Sequence, residues 1–167
     1  PLYMPDAQAA QKAQECLEQA MKETNSLGGM VECIITGVPA GLGEPAFDKL
    51  DAALAKAVLS IGAVKGFEIG SGMAAARSNG LENNDAYAVD AQGNLIKKTN
   101  HSGGITGGIS DGTPIVFRAA FKPTPSIAAL QETVNRQGEP IEIQIKGRHD
   151  PIIVPRAVVV VESMAAL

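Results

Sequence analysis

Ile115-Val116-Phe117-Arg118-Ala119-Ala120-Phe121 runs directly into Lys122-Pro123-Thr124-Pro125-Ser126, and the junction between them sets the reading of the chain. The first seven residues alternate between two faces, the period-2 pattern of a strand. Pro123 and Pro125 then end it, because each lacks a backbone donor and fixes φ. Upstream lies Thr99 to Gly112 (TNHSGGITGGISDG), rich in glycine and nearly free of charge. Downstream, Ile141, Ile143 and Ile145 alternate with Glu142, Gln144 and Lys146, which predicts a strand with one face buried. Tyr87-Ala88-Val89 and Leu95-Ile96-Lys97 can pair as a hairpin across Asp90-Ala91-Gln92-Gly93-Asn94.

Ahead of these strands the periodicity is helical. Asp6 can cap a helix to about Glu23, with Ala10, Ala13, Leu17, Ala20, Met21 and Thr24 along one face. Asn25-Ser26-Leu27-Gly28-Gly29 ends it. Met30 to Val38 reads as a strand, and Phe47 to Ser60 as a helix burying Leu50, Ala53, Leu54, Ala57, Val58 and Ile61. Gly62 breaks that helix before a second strand, Ala63 to Ile69. Residues 78–85 are polar and aperiodic, which predicts a loop. Pro155 suits the first turn of a last helix into Leu167. This order predicts an α+β fold, an antiparallel β-sheet packed with helices.

The chain has 167 residues, enough for a single domain with a real core. With 45% hydrophobic residues and no apolar run of membrane-spanning length, it reads as soluble, and no signal peptide moves it from a cytoplasmic default. Trp is absent and aromatics are 4%, which argues against base-stacking platforms. Residues 1–96 carry six Lys and Arg against twelve Asp and Glu, whereas residues 97–167 carry eight against six. An anionic ligand belongs with the second part, but the charge density is too low for nucleic acid. Cys16 and Cys33, on a helical and a strand pattern, read as reduced core residues. The chain starts at Pro1 and stops in mid-pattern after Met164-Ala165-Ala166-Leu167, so both ends look cut.

Four features could carry chemistry. Lys146 to Arg156 brings Arg148, His149 and Asp150 together between residues stiffened by Pro151 and Pro155; it reads equally as an anion-facing turn or a solvated one. Gly103-Gly104 and Gly107-Gly108 let backbone approach either a phosphate or another backbone. Lys122 to Ser126 offers one cation and two hydroxyls on a rigid loop, or is an ordinary strand end. His101 and His149 have no ligand-spaced partner for a metal, and neither is singled out as a general base.

Three segments together resemble the chorismate synthase family: Ala63 to Gly70; Thr99-Asn100-His101-Ser102-Gly103-Gly104 through Gly107-Gly108-Ile109-Ser110 to Lys122–Ser126; and Lys146-Gly147-Arg148-His149-Asp150-Pro151 through Pro155-Arg156-Ala157. They occur in the family's order and span nearly the whole chain. The resemblance implies half of a β-α-β sandwich, and a tetramer. It implies conversion of 5-enolpyruvylshikimate 3-phosphate to chorismate by 1,4-elimination of phosphate, a step of aromatic amino acid biosynthesis. Reduced FMN is the implied cofactor, with NADPH as a candidate reductant. The positions matching flavin contacts are Gly62, Ala63, Gly107, Lys122, Pro123, Thr124, Pro125, Ser126 and Arg148. Asp150 matches the family's proton-relaying carboxylate.

Ile152, Val159, Thr106 and Asp111 depart from the family's usual choices and read as packing or loop changes. The family's proteins are about twice this long, with two further histidines and several substrate-binding arginines in the other half. The chain therefore reads as a C-terminal portion, inactive alone. The alternatives are a non-catalytic FMN- or anion-binding regulatory module and a purely structural interaction domain.

Overall fold

The computed structural model describes residues 2–147 and 149–167. Helices and antiparallel hairpins are mixed throughout, in the expected α+β class. The chain divides into two compact units: the residues up to Gly29 with Phe121–Val158, and Met30–Ala120 with Val159–Leu167.

In the first unit, α1 (Ala7–Lys22) starts where the sequence places it, because the Asp6 carboxylate accepts from the Ala9 N–H at 2.6 Å. Its buried stripe is narrower than the periodicity predicts: Leu17 and Ala20 are buried, but Met21 is 55% exposed. The helix ends in a Schellman arrangement. The Asn25 N–H donates to Ala20 O at 2.8 Å and the Thr24 N–H to Met21 O at 3.1 Å. Thr24 has a φ of 54°, a left-handed conformation in which a β-branched residue is strained. Strands β8 (Gln131–Val134) and β9 (Pro140–Ile143) form an antiparallel hairpin with Thr133 opposite Ile141.

This hairpin corrects two expectations. Its isoleucines are not on a buried face, since Ile141 and Ile143 are 38% and 39% exposed. The strand also stops at Ile143 rather than continuing to Ile145. Alternation marks a two-faced strand but does not say that a second layer covers one face.

The second unit is built on a three-stranded sheet in the order β1 (Gly29–Ile35), β7 (Ile115–Phe121), β2 (Val64–Ile69). Central β7 behaves as its alternation predicts, with Ile115, Phe117 and Ala119 buried and Val116, Arg118 and Ala120 half-buried. Phe67 stacks on Phe117 with ring centroids 5.3 Å apart. Leu54 and Val58 of α2 (Leu50–Leu59) and Val161 of α4 (Val154–Ala166) are also buried. On the other face, Arg118 ties the sheet across its width, to Glu32 of β1 at 2.7 Å and Glu68 of β2 at 3.3 Å. Helix α2 begins three residues later than read, leaving Phe47 94% exposed. Residues 78–85, read as a loop, hold a one-turn helix α3 (Gly80–Asn83) closed by an Asn79–Glu82 capping box. The predicted hairpin is present, as β3 (Tyr87–Val89) and β4 (Leu95–Lys97).

Cys16 is exposed, against the expectation of a core residue. Cys33 is half-buried, and its thiol is pushed up by burial and then by the Glu162 carboxylate. No described helix is long and apolar enough to cross a membrane.

Candidate functional site

In the first unit, the turn after α1 brings together two segments that are far apart in sequence. Ser26, only 8% exposed, donates from Oγ to Thr124 O at 2.7 Å. The next residue, Leu27, donates its N–H to Pro151 O at 2.8 Å and forms a parallel bridge with Ile152. Gly28 passes so close to the loop that a Cβ there would lie 2.5 Å from Phe121 O and 3.1 Å from Pro123 Cδ. Ser26 and Asn25 therefore stand between the Lys122–Ser126 loop and the His149–Ile152 segment. A cleft of about 210 Å³ opens there, lined among others by Asn25, Ser26, Ile127, His149 and Asp150.

Within this unit, Thr124 Oγ1 is a buried side-chain oxygen with no hydrogen-bond partner among the described residues. A buried hydroxyl left unpaired costs stability unless something outside the chain completes it. Lys122 is half-buried and, among the described residues, makes only a long contact from Nζ to Pro123 O, 3.5 Å. Pro123 and Pro125 are exposed and Ser126 is half-buried. Asp150 pairs through Oδ2 with Arg156 Nη2, an ion pair open to solvent on both sides. His149 donates from Nε2 to Ile145 O at 3.0 Å, which fixes its tautomer and occupies that nitrogen. Arg148 lies outside the described residues.

The other sequence-predicted residues belong to the second unit. Gly62 is exposed, and Ala63 follows it at a φ of 72°. Gly107 sits between β5 (Ile105–Thr106) and β6 (Ile109–Ser110). Of the four paired glycines, three are close-packing positions. A Cβ on Gly103 would strike the Gly70 backbone, one on Gly104 would lie 2.6 Å from Pro114 O, and one on Gly108 2.5 Å from Lys49 Cγ. Gly107 has no described residue within 4 Å of that point, so it alone of the four leaves space for a ligand.

This loop is held by a charged network that sequence reading missed. Lys97 Nζ lies 2.5 Å from Asp111 Oδ2, 3.0 Å from Ser102 Oγ and 3.6 Å from Asp85 Oδ2. The Lys97 and Asp85 side chains are each 6% exposed. Asp85 also accepts from Thr99 Oγ1 and the His101 N–H at 2.7 Å and from the Ser102 N–H at 3.0 Å. Burial opposes ionisation of Asp85, but the bonds from Ser102, Thr99 and His101 outweigh it and hold the carboxyl far below its usual range. Asp111 behaves likewise: burial raises it, while Lys97, Thr113 and Thr106 bring it down to about 2. Burial also lowers Lys97, and the two carboxylates more than reverse this, leaving it raised. His101 donates from Nδ1 to Asn83 O at 3.2 Å, in keeping with a backbone-bonding role.

The chorismate synthase family model matches residues 1–167. The chain belongs to the chorismate synthase family. It is 70% identical over 167 residues to the chorismate synthase of Lachnoclostridium phytofermentans, covering all of this chain and 46% of the relative. It is 66% identical over 166 residues to that of Agathobacter rectalis, covering 99% and 45%. A crystal structure of a chorismate synthase superposes with a TM-score of 0.76 at 31% identity, covering 98% of this chain and 42% of the other. The chain thus spans a little under half the length of these chorismate synthases. Asp111, singled out in the sequence as a loop change, is the residue that supplies the second carboxylate to Lys97.

Proposed function

We propose that this chain forms the flavin-binding and proton-relaying part of a chorismate synthase that converts 5-enolpyruvylshikimate 3-phosphate to chorismate and phosphate. Family membership over the whole chain supports the reaction class, and the orphaned Thr124 Oγ1 is the single observation that carries the site. A hydroxyl donor, a half-buried ammonium and exposed backbone on a proline-stiffened loop suit a phosphate- and carbonyl-bearing group such as FMN. Lys122, Thr124 and Ser126 would hold it, flanked by Pro123 and Pro125; Gly62, Ala63, Gly107 and Arg148 are cofactor-binding positions by family resemblance alone. When bound, reduced FMN supplies the electron-rich ring that the elimination requires without net redox change.

The chain's own contribution is positional and electrostatic. The Lys122 ammonium balances anionic charge without needing to reorganise, because the loop around it is fixed. Asp150 carries the proton on its carboxylate; its ion pair with Arg156 orients the group while leaving it open to solvent exchange. The Thr124 hydroxyl donates to the bound group and so satisfies an oxygen that is otherwise buried alone. A tetramer and NADPH as reductant of the flavin belong to the same reading. Turnover needs residues beyond those of this chain, so the chain alone is expected to bind FMN weakly and to form no chorismate.

The test is chorismate and phosphate release by the protein carrying this chain, with reduced FMN and substrate. Asp150→Asn should lower the rate roughly 100-fold or more while FMN binding persists. Near-normal turnover in that variant would remove Asp150 from the mechanism. FMN titration against unrelated phosphates separates the enzyme from a general anion-binding module, which would show no preference for the flavin.

A further inference from the structure

We infer that Ser26 is a positioning residue, the strut that sets the Lys122–Ser126 loop against the Asp150 segment. The inference rests on the proposed function for its catalytic meaning, but its mechanical content stands on this structure alone. The geometry is specific. One side of the turn is fastened to the loop by Ser26 Oγ to Thr124 O, 2.7 Å, across 98 residues of sequence. The other side is fastened to the Asp150 segment by the Leu27 N–H to Pro151 O, 2.8 Å. These two bonds leave adjacent residues for different segments, so a shift of the turn that breaks either one loosens the link between the two.

Three further observations make the turn stiff. Thr24 is held at a φ of 54° by the Schellman bonds, which fixes the direction in which the chain leaves α1. The Ser26 N–H is held by Asn25 Oδ1 at 2.8 Å. Gly28 has no room for a Cβ beside Phe121 O. By engaging the carbonyl of Thr124 rather than its hydroxyl, Ser26 orients that residue and leaves Oγ1 free. Ser26 thus acts on Thr124 directly and on the Asp150 segment by way of the adjoining Leu27 N–H, and so sets the separation of the two groups to which the mechanism assigns ligand binding and proton transfer.

The test compares Ser26→Ala, Ser26→Thr and Thr124→Val. Backbone hydrogen exchange in the purified protein is the first readout. Ser26→Ala should speed exchange roughly tenfold, the loss of one buried hydrogen bond, at both 124–127 and 149–153, leaving the β3–β4 hairpin unchanged. Ser26→Thr, which keeps the hydroxyl, should restore slow exchange; should it fold poorly, Ser26→Ala alone still decides the matter. Acceleration confined to 24–28, or to only one of the two distant segments, overturns the inference. The second readout is FMN affinity and turnover in the protein carrying this chain. Ser26→Ala should weaken FMN binding and lower kcat with the KM for substrate little changed, whereas Thr124→Val should weaken FMN without altering exchange at 149–153. If Thr124→Val binds FMN normally, the flavin reading of the loop fails while the exchange result still judges Ser26.

Discussion

The Lys97 cluster and the Asp150 cluster each bring carboxylates and cations together, yet they are built on opposite terms. Around Lys97, the side chains are almost closed to water, and Asp85 and Asp111 are met by several donors each. Around Asp150, the ion pair with Arg156 is open, with side-chain exposures of 68% for Arg156 and 46% for Asp150, and the neighbouring loop keeps a buried hydroxyl unpartnered among the described residues. A network that satisfies itself gains nothing from a ligand and serves as scaffold. An incompletely satisfied one is where binding can be favourable. Charge alone does not mark a site; the state of its partners does.

The strongest way to break the comparison is to remove the cation of the closed cluster. Lys97→Met leaves two buried carboxylates uncompensated and should cost about 3–5 kcal/mol, read as a shift in the denaturation midpoint. A loss below 1 kcal/mol would mean that the network is not a scaffold. Acid probes the same cluster more gently. Asp111 is depressed in the folded state, so its contribution is present above its ordinary pKa and lost as pH falls from about 4 through about 2. That contribution is on the order of 2 kcal/mol, and Asp111→Asn should flatten this part of the stability–pH curve.

Smaller effects come from the open cluster. Thr24→Gly relieves the left-handed strain before Ser26 by more than it adds in unfolded-state freedom and should raise stability by up to about 1 kcal/mol, seen as a higher melting temperature. Asp150→Asn breaks the solvent-exposed pair with Arg156 and should change stability by less than about 1 kcal/mol. If that substitution instead unfolds the protein, Asp150 belongs with the scaffold, and its loss of activity would say nothing of proton transfer.

Much of this was legible locally. The Asp6 cap, the seven-residue alternation of β7, the hairpin across Asp90–Asn94 and the late helix after Val154 all follow from neighbours within a few positions, where caps, prolines and period act directly. The resemblance carried by Lys122–Ser126 and Arg148–Asp150 was equally a matter of contiguous residues. Strand β8 was not legible, because Gln131-Glu132-Thr133-Val134 has no apolar rhythm and becomes a strand only by pairing with β9. The exposure of Ile141 and Ile143 could not be read from alternation either.

Sequence by itself determined the family, the elements with strong local periodicity and the pool of residues from which a site could be drawn. Tertiary structure decided which polar groups have partners. That is a property of pairs: Ser26 meets Thr124 over 98 positions, and Lys97 meets Asp111 over 14. No local pattern encodes such meetings, because they depend on where the chain returns. For that reason the sequence named Thr124 and Asp150 without naming the serine that stands between them.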